Sequence, residues 1–369
     1  MPPDRRALDH IDALRSGPRK KNTLSDPLTH RGRHFGRTVH AFCNIRSLVT
    51  NGLAYLVNEP LLEELSAQER REFKVFQHLI KMCPGLVDRL TDPNVSEERV
   101  MLIADLLQKG ANASRADDTK SMKGSIIDWI TPPGQSLHPP INRKLKYERG
   151  YNHNVTGALL CPTGLDWEDV EQVTLFYVLE TLTFQKRIRA KLRSGEMIVR
   201  GDQWPTFLYQ DNQYDPENPW RGLLKSQLLV SAYKHVFTSP SSVDTDESKA
   251  TKSGNARIHG MTSVTPASLA YIATQVRFAL SSASQFSRTD TVTDSENFYE
   301  SLFDVLEDID ERENVGNLIK WWNRRIFPHS SPESIIAPVV GSALDRIKQK
   351  RAEALAAAAA ARAANDIQT

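Results

Sequence analysis

Apolar residues recur along this chain with the period of an α-helix rather than with the alternation of a β-strand. After a capping-box sequence at 66–69, they fall on one helical face at Phe73, Phe76, Leu79 and Ile80. A second helix is predicted to begin at Ser96 and to end at Gly110, and a third to begin at Thr265, with proline in its first position. The fold is therefore predicted to be mainly α: an irregular multi-helix globular domain with long ordered aromatic and proline-rich loops. At most one or two short strands are expected, such as 197–199.

The same pattern divides the chain into four segments. Residues 173–184 are apolar nearly all round, which predicts the central buried helix. The ends of the chain are basic and show little apolar periodicity. We expect a disordered basic tail at 1–33, an N-terminal helical segment packing on the core at 34–112, a main helical domain at 113–330, and a basic, alanine-rich C-terminal helix or tail at 331–369.

Seven of the 28 aromatic residues fall between Trp204 and Phe237, among polar residues and prolines. Prolines at 205, 216 and 219 exclude a continuous helix through the first part of this stretch. An aromatic loop of this kind stacks on nucleic-acid bases in some proteins, and in others it packs between helices. We expect mainly the second role here, between the predicted buried helix and a helix at 222–237.

Charge is balanced overall but unevenly distributed. The formal net charge is only +2, yet residues 1–50 carry ten Lys and Arg against four Asp and Glu, and residues 290–313 carry ten Asp and Glu against one Arg. Two basic clusters near the start have the spacing of a bipartite nuclear-import sequence, and a solvated basic tail is the alternative. These clusters are Arg5 with Arg6, and Arg19 with Lys20 and Lys21.

Three scattered cysteines and the lack of a long apolar run predict an intracellular protein that does not enter a membrane. The common signatures of nucleotide-binding folds, zinc proteases and serine hydrolases do not occur in the sequence. We therefore expect no cofactor and assign no catalytic residue. A metal site is not predicted either, because the available groups show no recognised ligand spacing. Those groups are Asp202, Asp215, Glu217, His235 and His259.

The strongest candidate for an anion site is the segment around Lys252, Arg257 and His259. Its two glycines allow backbone amides to converge, and a helix is predicted to begin just after it, where free N–H groups favour anions. The alternative is a structured loop whose charged groups pair with Asp202 or Asp215.

A second basic group lies where the predicted buried helix ends. Lys186, Arg189 and Arg193 fall near one helical face and are candidates for nucleic-acid contacts. Internal pairing with the acidic helix predicted at 296–313 is the alternative, because cations commonly lie at helix C-termini.

Several motifs of the chain are distinctive as a set. They include Gly201-Asp202-Gln203-Trp204-Pro205, Tyr214-Asp215-Pro216, Phe237-Thr238-Ser239-Pro240, Ser253-Gly254-Asn255-Ala256-Arg257-Ile258-His259-Gly260-Met261 and Trp321-Trp322-Asn323-Arg324. In these motifs the chain resembles a large family of uncharacterised proteins from mushroom-forming (basidiomycete) fungi, known as a domain of unknown function. The resemblance covers roughly residues 36–328 and implies no activity, cofactor or catalytic residue. The copy number of such proteins in these genomes suggests an association with mobile elements.

Three functions remain open from the sequence. The first is a non-enzymatic intracellular module that binds a protein or a nucleic acid. The second is a phosphate-handling enzyme such as a nuclease, with its site at 252–260 beside Asp202 and Asp215. The third is a self-assembling helical structural protein.

Overall fold

The structure confirms the predicted mainly α fold. A computed structural model describes residues 26–58, 63, 65–165, 167, 188–239, 243, 254–328, 346–353 and 356. Within these ranges the regular elements are helices, and β-pairing is limited to two isolated bridges, Pro162 with Pro205 and Tyr209 with Leu223. In this part of the chain no helix is both long and apolar enough to cross a bilayer.

Eleven helices are named here in chain order, and residues 188–194 are also helical. A short 3₁₀ turn, Gly150–Asn152, precedes α6, and α7 continues as one π-helical turn, Lys234–Thr238. The named helices are α1 (Pro27–Thr38), α2 (Ile45–Asn58), α3 (Ala67–Met82), α4 (Leu86–Thr91), α5 (Glu97–Ile130), α6 (Asn154–Leu160), α7 (Gln227–Tyr233), α8 (Asn255–Ile258), α9 (Pro266–Leu280), α10 (Ser295–Glu307) and α11 (Arg312–Ile326).

Helix α9 lies at the centre of the described structure. Every residue after its first proline is buried, and its N-terminus carries the predicted cap at Thr265, whose side chain accepts from the Ser268 N–H. Two buried basic side chains hold its other end: the Lys146 amino group donates to the Phe278 carbonyl, and the Arg149 guanidinium donates to the Ala279 carbonyl at 2.8 Å. The charged guanidinium is favoured there because helix C-terminal carbonyls carry partial negative charge. The predicted central helix at 173–184 lies outside the described residues.

Helices α1 and α5 cross with their backbones almost in contact. A Cβ atom on Gly32 would lie 2.0 Å from the Leu107 carbonyl oxygen, and one on Gly110 would lie 2.1 Å from the Thr29 carbonyl oxygen. Only a residue without a side chain fits at such positions. Gly110 is therefore a packing residue in the middle of α5 and not the helix end that the sequence pattern predicted.

This crossing also changes the predicted organisation. Helix α1 begins at Pro27, after a cap in which the Asp26 side chain accepts from the Leu28 N–H. Residues 27–33, predicted to belong to a disordered tail, are therefore helical in the structure. Helix α5 continues to Ile130 and runs across residue 112, where the prediction divides two segments. The apolar cluster of the N-terminal segment nevertheless extends from Leu28 to Ala111, close to that division.

A buried ion pair fixes α1 against both α5 and α9. Arg37 donates two hydrogen bonds to the Asp118 carboxylate, each 2.7 Å long, and the Tyr271 hydroxyl donates a third at 2.6 Å. Arg37 and Tyr271 are each 2% exposed and Asp118 is 5% exposed. The pairing raises the pKa of Arg37, so this guanidinium stays charged within the core.

The aromatic side chains of residues 204–237 mainly pack in or against the apolar core. Four of its seven rings are buried in the main apolar cluster, and the other three pack against that cluster while partly exposed. The buried rings are Phe207, Tyr209, Tyr233 and Phe237, and the partly exposed ones are Trp204, Tyr214 and Trp220.

We predict that Gly110→Ala destabilises the protein by about 1–3 kcal/mol or more, because the added methyl group meets the α1 backbone. The matched control is Gly124→Ala in the same helix, where an added Cβ meets no atom within 4 Å. That change should stabilise the protein by about 0.5–1 kcal/mol, since alanine favours helix more than glycine does. Denaturant unfolding of both variants measures the two effects. Equal changes in the free energy of unfolding for the two variants would contradict the close crossing of α1 and α5.

Candidate functional site

Two stacked histidines join α1 to the segment that the sequence marked as an anion site. The rings of His34 on α1 and His259, directly after α8, lie parallel with their centroids 4.3 Å apart. His34 is 9% exposed, and its Nδ1 atom has no hydrogen-bond partner. An unpaired buried nitrogen at such a contact is available to a ligand or to water.

Both rings are neutral in neutral solution. Burial, followed by repulsion from His259 and from Arg37, lowers the pKa of His34 to about 3. Burial and repulsion from Arg37 and Arg31 lower the pKa of His259 to about 4. An imidazole with so low a pKa is a weak base, so this pair is poorly suited to general acid–base catalysis.

The arginines around the stack differ in how they are paired. Arg33 forms an ion pair with Asp117 at 2.6 Å, and Arg37 is held by Asp118. By contrast, Arg31 and the exposed Arg257 form no ion pair with any carboxylate of the described residues. Exposed His30 is a further basic group near His259. We call the group formed by His30, Arg31, Arg257 and the stacked histidines the α1–α8 surface.

A cavity of about 390 Å³ opens beside this surface. His34 lines it together with α3, α10 and the loop that leads into α9, and its walls are mainly apolar, including Val75, Met261 and Phe303. The end of this loop is bonded to two helices. The Thr265 hydroxyl donates to the Thr38 carbonyl of α1 at 2.8 Å, and the Val264 N–H donates to the Asn323 side chain of α11 at 2.8 Å. A preformed, mostly apolar cavity with a few polar groups is typical of binding sites.

The cations of this cavity are already neutralised. Arg71 on α3 pairs with Glu300 and Asp304 on α10, and Lys74 pairs with Glu307. The acids Glu300, Asp304 and Glu307 of α10 are thus partners of α3. The predicted acidic helix at 296–313 is two helices, because α10 ends at Glu307 and α11 begins at Arg312.

The structure brings only part of the predicted anion site together. His259 stacks on α1 and the exposed Arg257 lies two residues before it in the chain, while Lys252 is outside the described residues. Asp202 pairs with Arg200 and lines a different cavity, beside Trp204 and Tyr214. Asp215 pairs with Arg221 at 3.3 Å and accepts from the Glu217 N–H.

The two described residues of the second basic group bond to neutral groups of the protein. Arg189 donates to the Trp167 carbonyl, and its guanidinium lies over the Trp167 ring at 4.9 Å. Arg193 donates to the Tyr151 carbonyl at 2.9 Å and to Asn154 at 2.7 Å. Lys186 lies outside the described residues.

Metal-ligating side chains are not clustered for metal binding in the described ranges. No group of three or more His, Cys, Asp or Glu residues there is arranged to hold a metal ion. His235, one of the groups considered above, instead lies 3.1 Å from the Ser121 hydroxyl and packs edge-on against Trp129.

A second cavity, of about 760 Å³, contains titratable groups that the sequence did not indicate. His40 Nδ1 accepts from the Cys43 N–H at 3.0 Å, so its hydrogen is on Nε2, 3.5 Å from Glu300. Burial raises the pKa of Glu300 to about 7, although Arg71 opposes the shift. Burial also raises the pKa of the Cys43 thiol to about 12, which makes it a poor nucleophile. This cavity can exchange a proton near neutrality but holds no activated thiol.

The predicted tail at 1–33 includes the first seven residues of α1, so the contribution of Arg31 is absent from the sequence prediction. A local pattern was present: Asp26 followed by Pro27 is a cap with proline at the first helical position. The glycines at 32 and 36, one helical turn apart, indicate close helix contact. No local sequence pattern indicates the role of Glu300, because that role depends on the packing of α2 and α3 around it.

The lowered pKa values of the stacked histidines make the stability of the protein depend on pH. Their folded pKa values lie below the unfolded value of 6.5. Their contribution to the stability of the folded state is therefore complete above about pH 6.5 and is lost as the pH falls towards about 4. We expect the free energy of unfolding to fall by about 1–2 kcal/mol per histidine between pH 6.5 and 5.

His259→Phe keeps a ring in the stack but removes its titration. Denaturant titrations at several pH values should show a shallower acid-side slope for this variant than for the natural protein. Glu300 makes the free energy of unfolding change with pH in the opposite direction, because its folded pKa is raised. It is present in both proteins, so its effect cancels when their slopes are compared. An identical slope in the two proteins would show that the stack is not what loses stability in acid.

Comparison with known proteins identifies the family but no function. Neither a curated protein nor a solved structure matches the chain. A family model matches residues 109–327, which begin within α5 and end just after α11. Helices α1 to α4 lie outside the match, so the histidine stack joins a residue inside the matched region to one outside it. The chain belongs to this family, which is described as a family of unknown function (DUF6698).

Proposed function

We propose that the chain is a non-enzymatic binding module and that a nucleic acid is its partner, contacting the α1–α8 surface. The observation that carries the proposal is the pair Arg31 and Arg257, on two different elements, next to stacked histidines that burial and repulsion from nearby arginines keep neutral. Neither arginine forms an ion pair with a carboxylate of the described residues. Unpaired arginines on a fixed surface are suited to phosphate oxygens.

The electrostatic surroundings support an anionic partner. The charged groups that lower the pKa of His259 are all basic, namely Arg37, Arg31, His30 and Arg33. Of these, Arg37 and Arg33 have their own aspartates, whereas Arg31 and His30 form no ion pair with a carboxylate of the described residues. The local field is therefore positive even though the whole chain carries a formal net charge of only +2.

The site is better suited to binding than to chemistry. The phosphate-handling alternative needs Asp202 and Asp215 beside His259. Each aspartate instead pairs with an arginine of its own loop, and His259 packs on α1. The lowered histidine pKa values also weaken the enzyme alternative. Self-assembly stays a third candidate, which no contact described here favours.

Other parts of the proposal extend the sequence predictions. We propose an intracellular, nuclear location, supported by the basic clusters at Arg5, Arg6, Arg19, Lys20 and Lys21, which lie outside the described residues. Origin in a basidiomycete fungus and a link to mobile elements are proposed from the resemblance of the motifs. Arg189 and Arg193 remain a second candidate surface for nucleic acid.

The test is binding of short labelled DNA and RNA oligonucleotides to the full chain, measured by fluorescence anisotropy at about 50 to 200 mM salt. The double variant Arg31→Glu, Arg257→Glu should bind about tenfold more weakly or worse. The slope of log affinity against log salt should become shallower by about 2, because two phosphate contacts are lost.

Lys320→Glu is the control, because Lys320 is an exposed cation on α11 and is not among the charged groups that act on His34 or His259. It should leave both affinity and salt slope nearly unchanged. Absence of binding at low salt, or equal losses in the control and the double variant, would overturn the proposal.

A further inference from the structure

A groove on the aromatic loop is separate from the α1–α8 surface. It has a volume of about 400 Å³ and is lined by Pro162, Trp204, Tyr209, Tyr214 and Pro219, with Asp202 at its side. Its two walls are tied together: the Thr163 N–H donates to the Trp204 carbonyl at 2.8 Å, and the Thr206 N–H donates to the Cys161 carbonyl at 3.0 Å. The groove is therefore preformed.

The rings of the groove are held in place from behind. The Trp204 indole N–H donates to the Ser301 hydroxyl at 3.0 Å, which fixes this ring on α10. Tyr209 is 2% exposed, and the Tyr214 ring stands nearly perpendicular to it with centroids 5.2 Å apart. Aromatic faces so fixed lose little entropy when a ligand packs on them.

The tyrosine hydroxyls of the groove have no hydrogen-bond partner among the described residues. Neither Tyr209 nor Tyr214 makes a side-chain hydrogen bond there, whereas the buried Tyr233 and Tyr271 bond to Ser268 and Asp118. The Tyr209 ring is buried, but its hydroxyl reaches the solvent of the groove that it lines. Both hydroxyls are therefore available as donors to a ligand in the groove.

These features decide which ligand fits. Rings and prolines supply apolar faces, and the two hydroxyls supply donors without competing acceptors. A polyproline II segment offers the complement, because its rings are apolar and its backbone carbonyls are not used internally. A methylated ammonium ion would also fit between rings, but it needs an unneutralised carboxylate for strong binding. Asp202 is already paired with Arg200 through two hydrogen bonds.

We propose that this groove binds a proline-rich segment of a partner protein in the polyproline II conformation. Proline rings pack on Trp204 and Tyr214, and the hydroxyls of Tyr209 and Tyr214 donate to backbone carbonyls of the segment. This is the mode by which aromatic-lined grooves read proline-rich sequences. The site is independent of the anion surface, so the module has two binding faces.

The experiment uses the full chain and two probes: an oligoproline peptide and an array of peptides that contain the Pro-x-x-Pro pattern. Binding is measured by calorimetry. Tyr209→Phe and Tyr214→Phe each remove one hydroxyl but keep the ring, and each should weaken binding by about 2- to 10-fold, the value of one hydrogen bond. The control is Tyr147→Phe, an exposed tyrosine outside the groove, which should bind as the natural protein does.

Three results would overturn this inference. The first is that neither probe binds. The second is that the two groove variants bind as tightly as the control. The third is that a trimethyllysine peptide binds the groove and proline-rich peptides do not compete with it. Oligonucleotide binding by the groove variants should stay unchanged, so failure here is distinguishable from failure of the anion surface.

Discussion

The buried carboxylate of Asp118 is the constraint on which the arrangement depends. An isolated charge in a protein core costs several kcal/mol unless it is paired and hydrogen-bonded. Arg37 from α1 and Tyr271 from α9 meet this requirement together. The pair therefore specifies where α1 lies on α5 and also ties both helices to the central helix. The glycines at the α1–α5 crossing allow the backbones to approach closely enough for the pair to form.

Fixing α1 also fixes a basic face. Arg31, His34 and Arg37 follow one another at three-residue spacing on this helix, so locking Arg37 in the core sets the positions of the other two. His34 then meets His259, and Arg31 comes near His259 as well. The proposed anion surface thus depends on a structural ion pair. It combines the segment before residue 109 with the region that defines the family.

The local parts of the fold could be predicted from the sequence. The caps at Ser66, Ser96 and Thr265 begin α3, α5 and α9 where the pattern indicated, because cap hydrogen bonds depend on neighbours in the chain. Gly110 was interpreted wrongly for the opposite reason. Its role depends on Thr29, which is distant in sequence, and no local pattern distinguishes a packing glycine from a helix end.

The candidate site was predictable only in part, for the same physical reason. The sequence marked Arg257 and His259 from their glycine-rich surroundings, and the structure stacks His259 on α1 with the exposed Arg257 two residues before it. It could not supply Arg31 and His34, which reach that surface through the packing of α1. It also grouped Asp202 with His259, although each is held by different neighbours.

The most direct measurement is photo-crosslinking of the full chain to an oligonucleotide that carries photoreactive bases, with crosslinked peptides identified by mass spectrometry. If α1 and α8 form one anion surface, crosslinks should appear together in the peptides that contain Arg31 and Arg257. Asp118→Asn, which weakens the pair that locks α1, should reduce the crosslinks at both. Crosslinks confined to residues 1–25, or to α11 around Lys320, would contradict the account.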